Sequence, residues 1–254
     1  MYRPRVIPVL LLKNKGLVKT VKFNKSRYIG DPINAVKIFN DLEADELVFL
    51  DITASKEKRT ISLDLVKEIG DEAFMPFAVG GGIKTLKDVE EILKAGAEKV
   101  VLNSVLHSNM NIISDVALKF GSQSVIASVD VKKNFFGKYV VYIKSGKKKI
   151  KTQLIDYVKM IESKGAGEII INSIDNDGLM QGYDLELIKT ISEVVDIPVI
   201  ACGGAGNLGH FKEATQKSFA SAVSAGSVFV YHGPRRGILI NYPEKNELNK
   251  VFAN

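Results

Sequence analysis

Cysteine is nearly absent from the chain: Cys202 stands alone among 254 residues. No intrachain disulfide can form, and a cytoplasmic location is the default expectation. A run of about 18 apolar residues, the length a spanning helix needs, is also missing. The opening stretch YRPRVIPVLLLKNKG, Tyr2 to Gly16, places two arginines before an apolar segment, as a signal peptide does. It runs into KNKG with no small-residue cleavage site, and reads better as a first core strand. Histidine is scarce. His107, His210 and His232 are too widely separated for a metal site, and HExxH, paired CxxC and carboxylate–histidine clusters are all lacking. Neither a metal nor a cofactor is expected.

What is present is apolar material, 46% of the residues, enough for a large core, and a net charge of +6. The basic residues are spread along the chain, with their densest cluster, SGKKKIK (Ser145–Lys151), following the alternating run KYVVYIK as a solvated hairpin. That distribution argues against nucleic acid or a membrane as partner. It suits a small phosphorylated substrate or an acidic protein.

Apolar segments of strand length alternate with amphipathic segments of helix length. The expected strands are Val6–Leu11, Glu46–Asp51, Phe77–Val79, Lys99–Leu102, Ser124–Asp130, Glu168–Asn172, Pro198–Ala201 and Ser221–Ala225. The expected helices are Pro32–Asp41, Ile61–Gly70, Leu86–Ala95, Asn109–Phe120, Lys151–Lys164, Asp184–Val195 and Leu208–Lys217, with a less regular region after Gly233. Strands such as KVVLNS and GEIIINS are apolar at consecutive positions, as strands covered on both faces must be. Eight such units point to a (β/α)8 TIM barrel of one domain, residues 1–254. A doubly wound open sheet is the alternative.

The chain also echoes itself. FLDITASKEK (Phe49–Lys58) aligns with INSIDNDGLM (Ile171–Met180), VGGGIKT (Val79–Thr85) with CGGAGNL (Cys202–Leu208), and LNSVLH (Leu102–His107) with AGSVFV (Ala225–Val230). Gly81 precedes Ser104 by the same interval as Gly204 precedes Ser227. Two similar half-barrels, approximately 1–120 and 121–254, explain the echo, whereas an open sheet does not require it.

The glycine turns Gly80–Gly82 and Gly203–Gly206 each follow a strand and precede a helix, so their amides can face the C-terminal mouth as phosphate cradles. Asn103 with Ser104, and Gly226 with Ser227, add an amide and a hydroxyl beside each turn. Two anion sites on opposite sides of one mouth suit a bisphosphorylated or elongated substrate; the plainer reading is that these glycines only permit tight turns. The dinucleotide fingerprint does not fit GGGIKT. Asp130 ends an otherwise apolar strand and falls at the mouth, where a carboxylate near phosphates suits general acid–base work. Pairing with Lys132 or Lys133 is the structural alternative. Asp51, Asp175 and Asp177 also lie at strand ends, Asp51 with the option of capping the following ITAS turn. Lys19 either reaches a phosphate over the mouth or is plain surface charge. Cys202 reads as a small core residue. At the opposite ends of the strands, Arg5, Glu46, Lys99 and Glu168 alternate in charge around the barrel floor, either as a seal or as a gate for a small neutral molecule.

The strings ADELVFLDITAS, VGGGI, KFGSQSV, GAGEI, DNDG, GYDLELIK and IPVIACGGAGN resemble the cyclase subunit of imidazole glycerol phosphate synthase, the HisF family, over nearly the whole chain. The resemblance implies a glutaminase of the HisH kind docked at the barrel floor. It also implies ammonia crossing the barrel and a ring-closing lyase reaction at the mouth. It assigns the gate to Arg5, Glu46, Lys99 and Glu168. Phosphate or substrate contacts fall to Lys19, Gly82, Asn103, Ser104, Asp177, Gly178, Gly204, Gly226 and Ser227, and one acid–base aspartate to Asp130. The family's other catalytic aspartate falls on Leu11, and its threonine in the sixth strand on Asn172. Leucine cannot transfer a proton, so ordinary ring closure should be severely impaired while ammonia delivery is spared. These departures, with the LLLKNKGLVKTVKF beginning and HGPRRGILINYP ending, resemble HisF-like proteins of bacterial surface-glycan pathways. In those, a third, amidotransferase-type protein helps turn an N-acetyl group of a nucleotide-linked sugar into an acetamidino group. The rivals are a true cyclase that recruits Asp51 or Asp175, and a non-catalytic scaffold that activates the glutaminase. The related isomerase has the half-barrel design but needs no ammonia path.

Overall fold

A computed structural model describes residues 3–253; Met1, Tyr2 and Asn254, the ends of the expected 1–254 domain, lie outside them. In chain order the elements are β1 (Arg5–Lys13), β2 (Gly16–Val21), β3 (Asn24–Gly30), α1 (Pro32–Asp41), β4 (Leu47–Asp51), α2 (Leu63–Glu72), β5 (Phe77–Gly80), α3 (Leu86–Lys94) and β6 (Lys99–Leu102). A 3-10 turn (Ser104–His107) leads to α4 (Ile112–Phe120), and a second (Ser122–Ser124) to β7 (Val125–Lys133), β8 (Tyr139–Ile143), β9 (Lys148–Lys149), α5 (Leu154–Ser163) and β10 (Glu168–Ser173). The chain ends with α6 (Leu185–Ser192), β11 (Val199–Cys202), α7 (Leu208–Ser218), β12 (Ala222–Ala225), α8 (Ser227–Val230), β13 (Tyr231–His232), β14 (Gly237–Ile238) and α9 (Lys245–Phe252).

Eight parallel strands pair in the order β1, β4, β5, β6, β7, β10, β11, β12 and back to β1, which closes a (β/α)8 barrel and removes the open-sheet alternative. Closure leaves no free edge along the barrel. The helices expected from Pro32, Leu86 and Leu208 start there, whereas those expected from Ile61, Asn109, Lys151 and Asp184 start one to three residues later, and at α2 and α6 a polar residue caps the helix just before it begins. Ser62 accepts a hydrogen bond from the Leu65 amide and Asp184 from the Leu187 amide, so α2 and α6 begin just after them. Thr85 and Asp88 form a reciprocal capping box at α3. His107 closes the 3-10 turn that follows β6.

Alternate side chains of each strand face opposite ways. Ile7, Val9, Val48, Ala78, Val101, Ile126, Ile170, Ile200 and Ala222 fill the barrel interior, and a second, larger apolar cluster lies between strands and helices. After β12 the chain turns under the outer layer. Phe229 stacks on Tyr242 at 5.5 Å and meets Phe211 at 6.0 Å, and the Tyr242 hydroxyl donates to the Val6 carbonyl at 2.8 Å. This aromatic chain ties the C-terminal segment to the first strand. Phe229→Ala is expected to cost about 3–5 kcal/mol of unfolding free energy in denaturant titration, the range for emptying an aromatic site in a close-packed core.

Candidate functional site

Strand alternation decides which residues reach the barrel axis. In β1 the inward set is Arg5, Ile7, Val9 and Leu11; Leu11 packs against the interior cluster together with Leu50 and Cys202. In β7 it is Ile126, Ser128 and Asp130, and in β10 Glu168, Ile170 and Asn172, with Asp130 in register with Asn172. β7 lies four strands from β1 in either direction around the barrel, so Leu11 and Asp130 occupy opposite walls of its upper end. The same upper layer is completed by Leu50, Gly80, Asn103, Asn172, Cys202 and Gly226, and Asp130 is the only carboxylate in it.

Asp130 is buried. Asn103 Nδ2 donates to its Oδ2 at 3.0 Å and Asn172 Nδ2 to its Oδ1 at 3.3 Å. Burial pushes its carboxyl up to about 7; the two amides pull the other way, and the Asp177 charge adds to the rise. No lysine pairs with it. Lys133 extends instead to Glu186 at 3.3 Å and Asp184 at 3.8 Å. The result is a carboxyl that exchanges a proton near neutrality. On its far side the Asn172 Oδ1 is buried without a hydrogen-bond partner.

The other strand-end carboxylates are occupied. Asp51 faces away from the interior; its Oδ1 accepts from the Thr53 amide, the Thr53 hydroxyl and the Ala54 amide, and its Oδ2 from Arg59 at 2.6 Å. Asp175 accepts from the Lys133 amide at 2.9 Å. Asp177 is held by the β2–β3 hairpin: Thr20 Oγ1 lies at 3.4 Å, and its carbonyl accepts from the Lys22 amide at 3.0 Å. Burial raises the Asp177 carboxyl, and Lys19 opposes the rise.

Lys19 is not surface charge. It is 5% exposed, and burial lowers its ammonium while Asp177 counteracts. Its Nζ sits where a Gly226 side chain would be, 1.8 Å from an added Cβ. Ser227, also buried, follows. The Gly204 turn, at φ +115°, is pressed against the Gly182 carbonyl, and Gly178 lies against the Thr20 carbonyl. In the first half, Gly82 (φ +68°) lies against the Arg59 carbonyl. Asn103 is committed to Asp130 and to the Ser128 carbonyl, and Ser104 Oγ accepts from the Lys144 amide at 3.2 Å. Glycine is therefore required at both turns by neighbouring backbone, and the halves differ: only the second brings a buried cation to its turn. His232 and Arg235 are exposed, and Arg236 reaches the Gly178 and Leu179 carbonyls at 3.5 Å.

At the floor, Arg5 bonds both Glu46 and Glu168, and Lys99 Nζ lies 2.9 Å from Glu46 and 3.2 Å from Glu168. The four side chains form a closed ring of alternating charge. Glu46 is only 2% exposed and accepts from both cations.

Sequence reading did not pair Asn103 and Asn172 with Asp130, although all three fall at the last inward position of their strands or just beyond it. Ser128 and Ser224, polar residues inside the barrel, were legible only through the same parity. Among the described residues no group of histidine, cysteine and carboxylates could hold a metal ion, and no helix is long and apolar enough to cross a membrane.

A closed barrel with a charge ring at one end and a buried near-neutral carboxyl at the other defines a class of barrel in which floor and mouth are both elaborated. The family model described as "Histidine biosynthesis protein" matches residues 5–234. A Pseudomonas aeruginosa protein provisionally named imidazole glycerol phosphate synthase subunit hisF2 is 47% identical over 249 residues, 98% of this chain and 99% of its own. A Vibrio vulnificus protein provisionally named subunit hisF3 is 47% identical over 253 residues, covering 99% and 97%. The imidazole glycerol phosphate synthase subunit HisF of Alkaliphilus metalliredigens is 45% identical over 232 residues, covering 91% and 92%. The chain belongs to the HisF family of histidine biosynthesis proteins.

Two outcomes test this geometry. The Asp130 carboxyl should titrate with a midpoint near pH 7 by carboxyl-resolved infrared or NMR spectroscopy; because its folded value is raised, it favours the fold at low pH and loses that contribution as pH climbs through about 7. A midpoint near 4 would contradict the assignment. Glu46→Gln should destabilise the protein by about 1–3 kcal/mol in denaturant, because it leaves Arg5 and Lys99, both only partly buried, sharing Glu168 alone.

Proposed function

We propose that this chain, as one domain of two half-barrels, is a HisF-like subunit that takes ammonia from a HisH-like glutaminase at its floor and passes it through the barrel. At the mouth it supports acetamidino-group formation on a nucleotide-linked sugar for bacterial surface glycan. The observation that carries this reading is the make-up of the upper interior layer: Asp130 is its only carboxylate, and Leu11 stands on the opposite wall, where the family's first acid–base aspartate falls. Ring closure that makes and breaks C–N bonds needs proton transfer on both sides of the substrate. Delivery of ammonia needs only a gate and an apolar path. The ring Arg5–Glu46–Lys99–Glu168 suits the gate, and the column of Ile7, Val9, Val48, Val101, Ile126 and Ile170 suits the path.

Asp130 fits the role of the remaining general acid–base group, since it holds or yields a proton near neutral pH. Lys19, Asp177, Gly178, Gly204, Gly226 and Ser227 fit one anion site, and Gly82, Asn103 and Ser104 a second, weaker one that has no buried cation. A partner at the floor is supported by Phe74 and Phe219, which are 88% and 56% exposed in the connections that lead into β5 and β12. The numbered names hisF2 and hisF3 of two relatives fit a barrel that works beside another of its kind.

The second reading, a true cyclase of histidine synthesis, is favoured by the names of relatives such as the Alkaliphilus protein. It needs a substitute acid. Asp51 is bound by Arg59 and its own turn and faces away from the interior, and Asp175 lies beyond the end of its strand, where it accepts from the Lys133 amide, so neither shares the inward layer with Asp130.

The decisive experiment combines a glutaminase pull-down with assays on both substrates. The wild type is expected to bind glutaminase, to form negligible imidazole glycerol phosphate from free ammonia and to leave a histidine auxotroph uncomplemented. Leu11→Asp should raise cyclisation about a hundredfold, the order that one positioned acid–base group contributes. Ordinary cyclase turnover by the wild type would refute the lost-cyclase reading. Phe74→Asp should weaken glutaminase binding at least about tenfold, as loss of an aromatic anchor does.

A further inference from the structure

The basic residues that look scattered in the sequence are gathered by the fold. Residues 13–30 contain five lysines and an arginine with no carboxylate, and the chain between Asp130 and Asp156 contains eight lysines and no carboxylate. The first stretch forms the β2–β3 hairpin on β1, and the second the β8–β9 extension on β7. Both leave the C-terminal ends of their barrel strands. The mouth is therefore flanked by two acid-free basic hairpins, rooted on the walls that carry Leu11 and Asp130.

At the tip between β7 and β8 stand Phe135 and Phe136, 98% and 82% exposed. Their rings meet edge to face at 5.6 Å and 85°. The turn beneath them is tightly bonded. Asn134 Oδ1 accepts from the Phe136 amide at 2.9 Å and the Lys138 amide at 3.0 Å, and the Asn134 amide donates to the Lys138 carbonyl at 2.9 Å. Two apolar rings are thus held out in water on a preformed support, the arrangement that makes an anchor with little ordering cost on binding. Lys132 and Lys138 flank the tip with no ion-pair partner among the described residues, whereas Lys133 is neutralised by Asp184 and Glu186.

We propose that this hairpin face docks a protein with an acidic rim around an apolar socket, and that this protein is the one that consumes the ammonia. The inference rests on the conduit reading above, because ammonia that enters at the floor leaves at the mouth and its consumer must close over that end. A folded protein suits the tip better than nucleic acid does: rings crossed at 85° cannot offer successive bases parallel faces to stack on. A bilayer would cover the mouth without supplying an acceptor for ammonia.

The test uses the full chain, its glutaminase and a purified amidotransferase-type protein from the same organism, with binding measured by surface plasmon resonance. The wild type is expected to bind the third protein, less tightly as salt rises from about 0.05 to about 0.3 M. The double variant Phe135→Ser/Phe136→Ser is expected to lose at least about tenfold in affinity, and Lys132→Glu/Lys138→Glu a comparable amount, while both keep wild-type glutaminase binding and melting temperature. Equal binding by wild type and both variants would overturn the docking face and leave the conduit reading standing. Failure of the wild type to bind the third protein would overturn both. Phenylalanine-dependent capture of phosphatidylglycerol vesicles or of RNA, with no complex with the third protein, would overturn the proposed partner.

Discussion

Eight parallel strands wound into a closed barrel point every second side chain at one axis, and each part of this protein that bears on chemistry follows from that constraint. The same parity sends Arg5 and Leu11 to the axis from one strand, Glu46 and Leu50 from the next, and Glu168 and Asn172 from the sixth. The axis therefore carries a ring of charge at the floor, mainly aliphatic side chains with Ser128 and Ser224 among them in the middle, and a polar cluster around Asp130 at the top. Were the first strand to slip by one residue, Arg5 and Leu11 would both leave the axis, so floor and mouth are not independent designs.

The electrostatics of the two ends are opposite solutions to one problem, the cost of burying charge. At the floor the charges neutralise one another in a closed ring, and the ions remain ions. At the mouth Asp130 has no cation bonded to it, only the Asn103 and Asn172 amides, and burial, helped by the Asp177 charge, raises it toward neutrality instead. A small uncharged molecule is hindered least by such an axis. The Asp130 carboxyl and the unpartnered Asn172 oxygen stand where that molecule would next meet polar groups.

Much of this was legible before the structure. The eight units, the half-chain echo and the charged strand starts follow from periodicity, and parity places Leu11 and Asp130 at the same end. The limits are instructive. The starts of α2 and α6 shifted by two residues and one because the capping residues Ser62 and Asp184 carry no apolar signal of their own. The glycine turns looked equivalent in the two halves, yet only Gly226 meets a buried lysine, a contact that depends on how the β2–β3 hairpin folds back. Asp51 looked available until Arg59, eight residues later, closed over it. The lysines looked dispersed because their convergence is long-range: two hairpins far apart in sequence leave the same end of one barrel.

The central claim is that nitrogen travels along the axis from floor to mouth without mixing with solvent. It is tested most directly by supplying the assembled glutaminase, barrel and third protein with glutamine labelled with nitrogen-15 in its side-chain amide, in the presence of excess unlabelled ammonium. Mass spectrometry of the acetamidino product then reads the source of its nitrogen. The account predicts a product that keeps the label undiluted; a product whose label matches the bulk ammonium pool would contradict it.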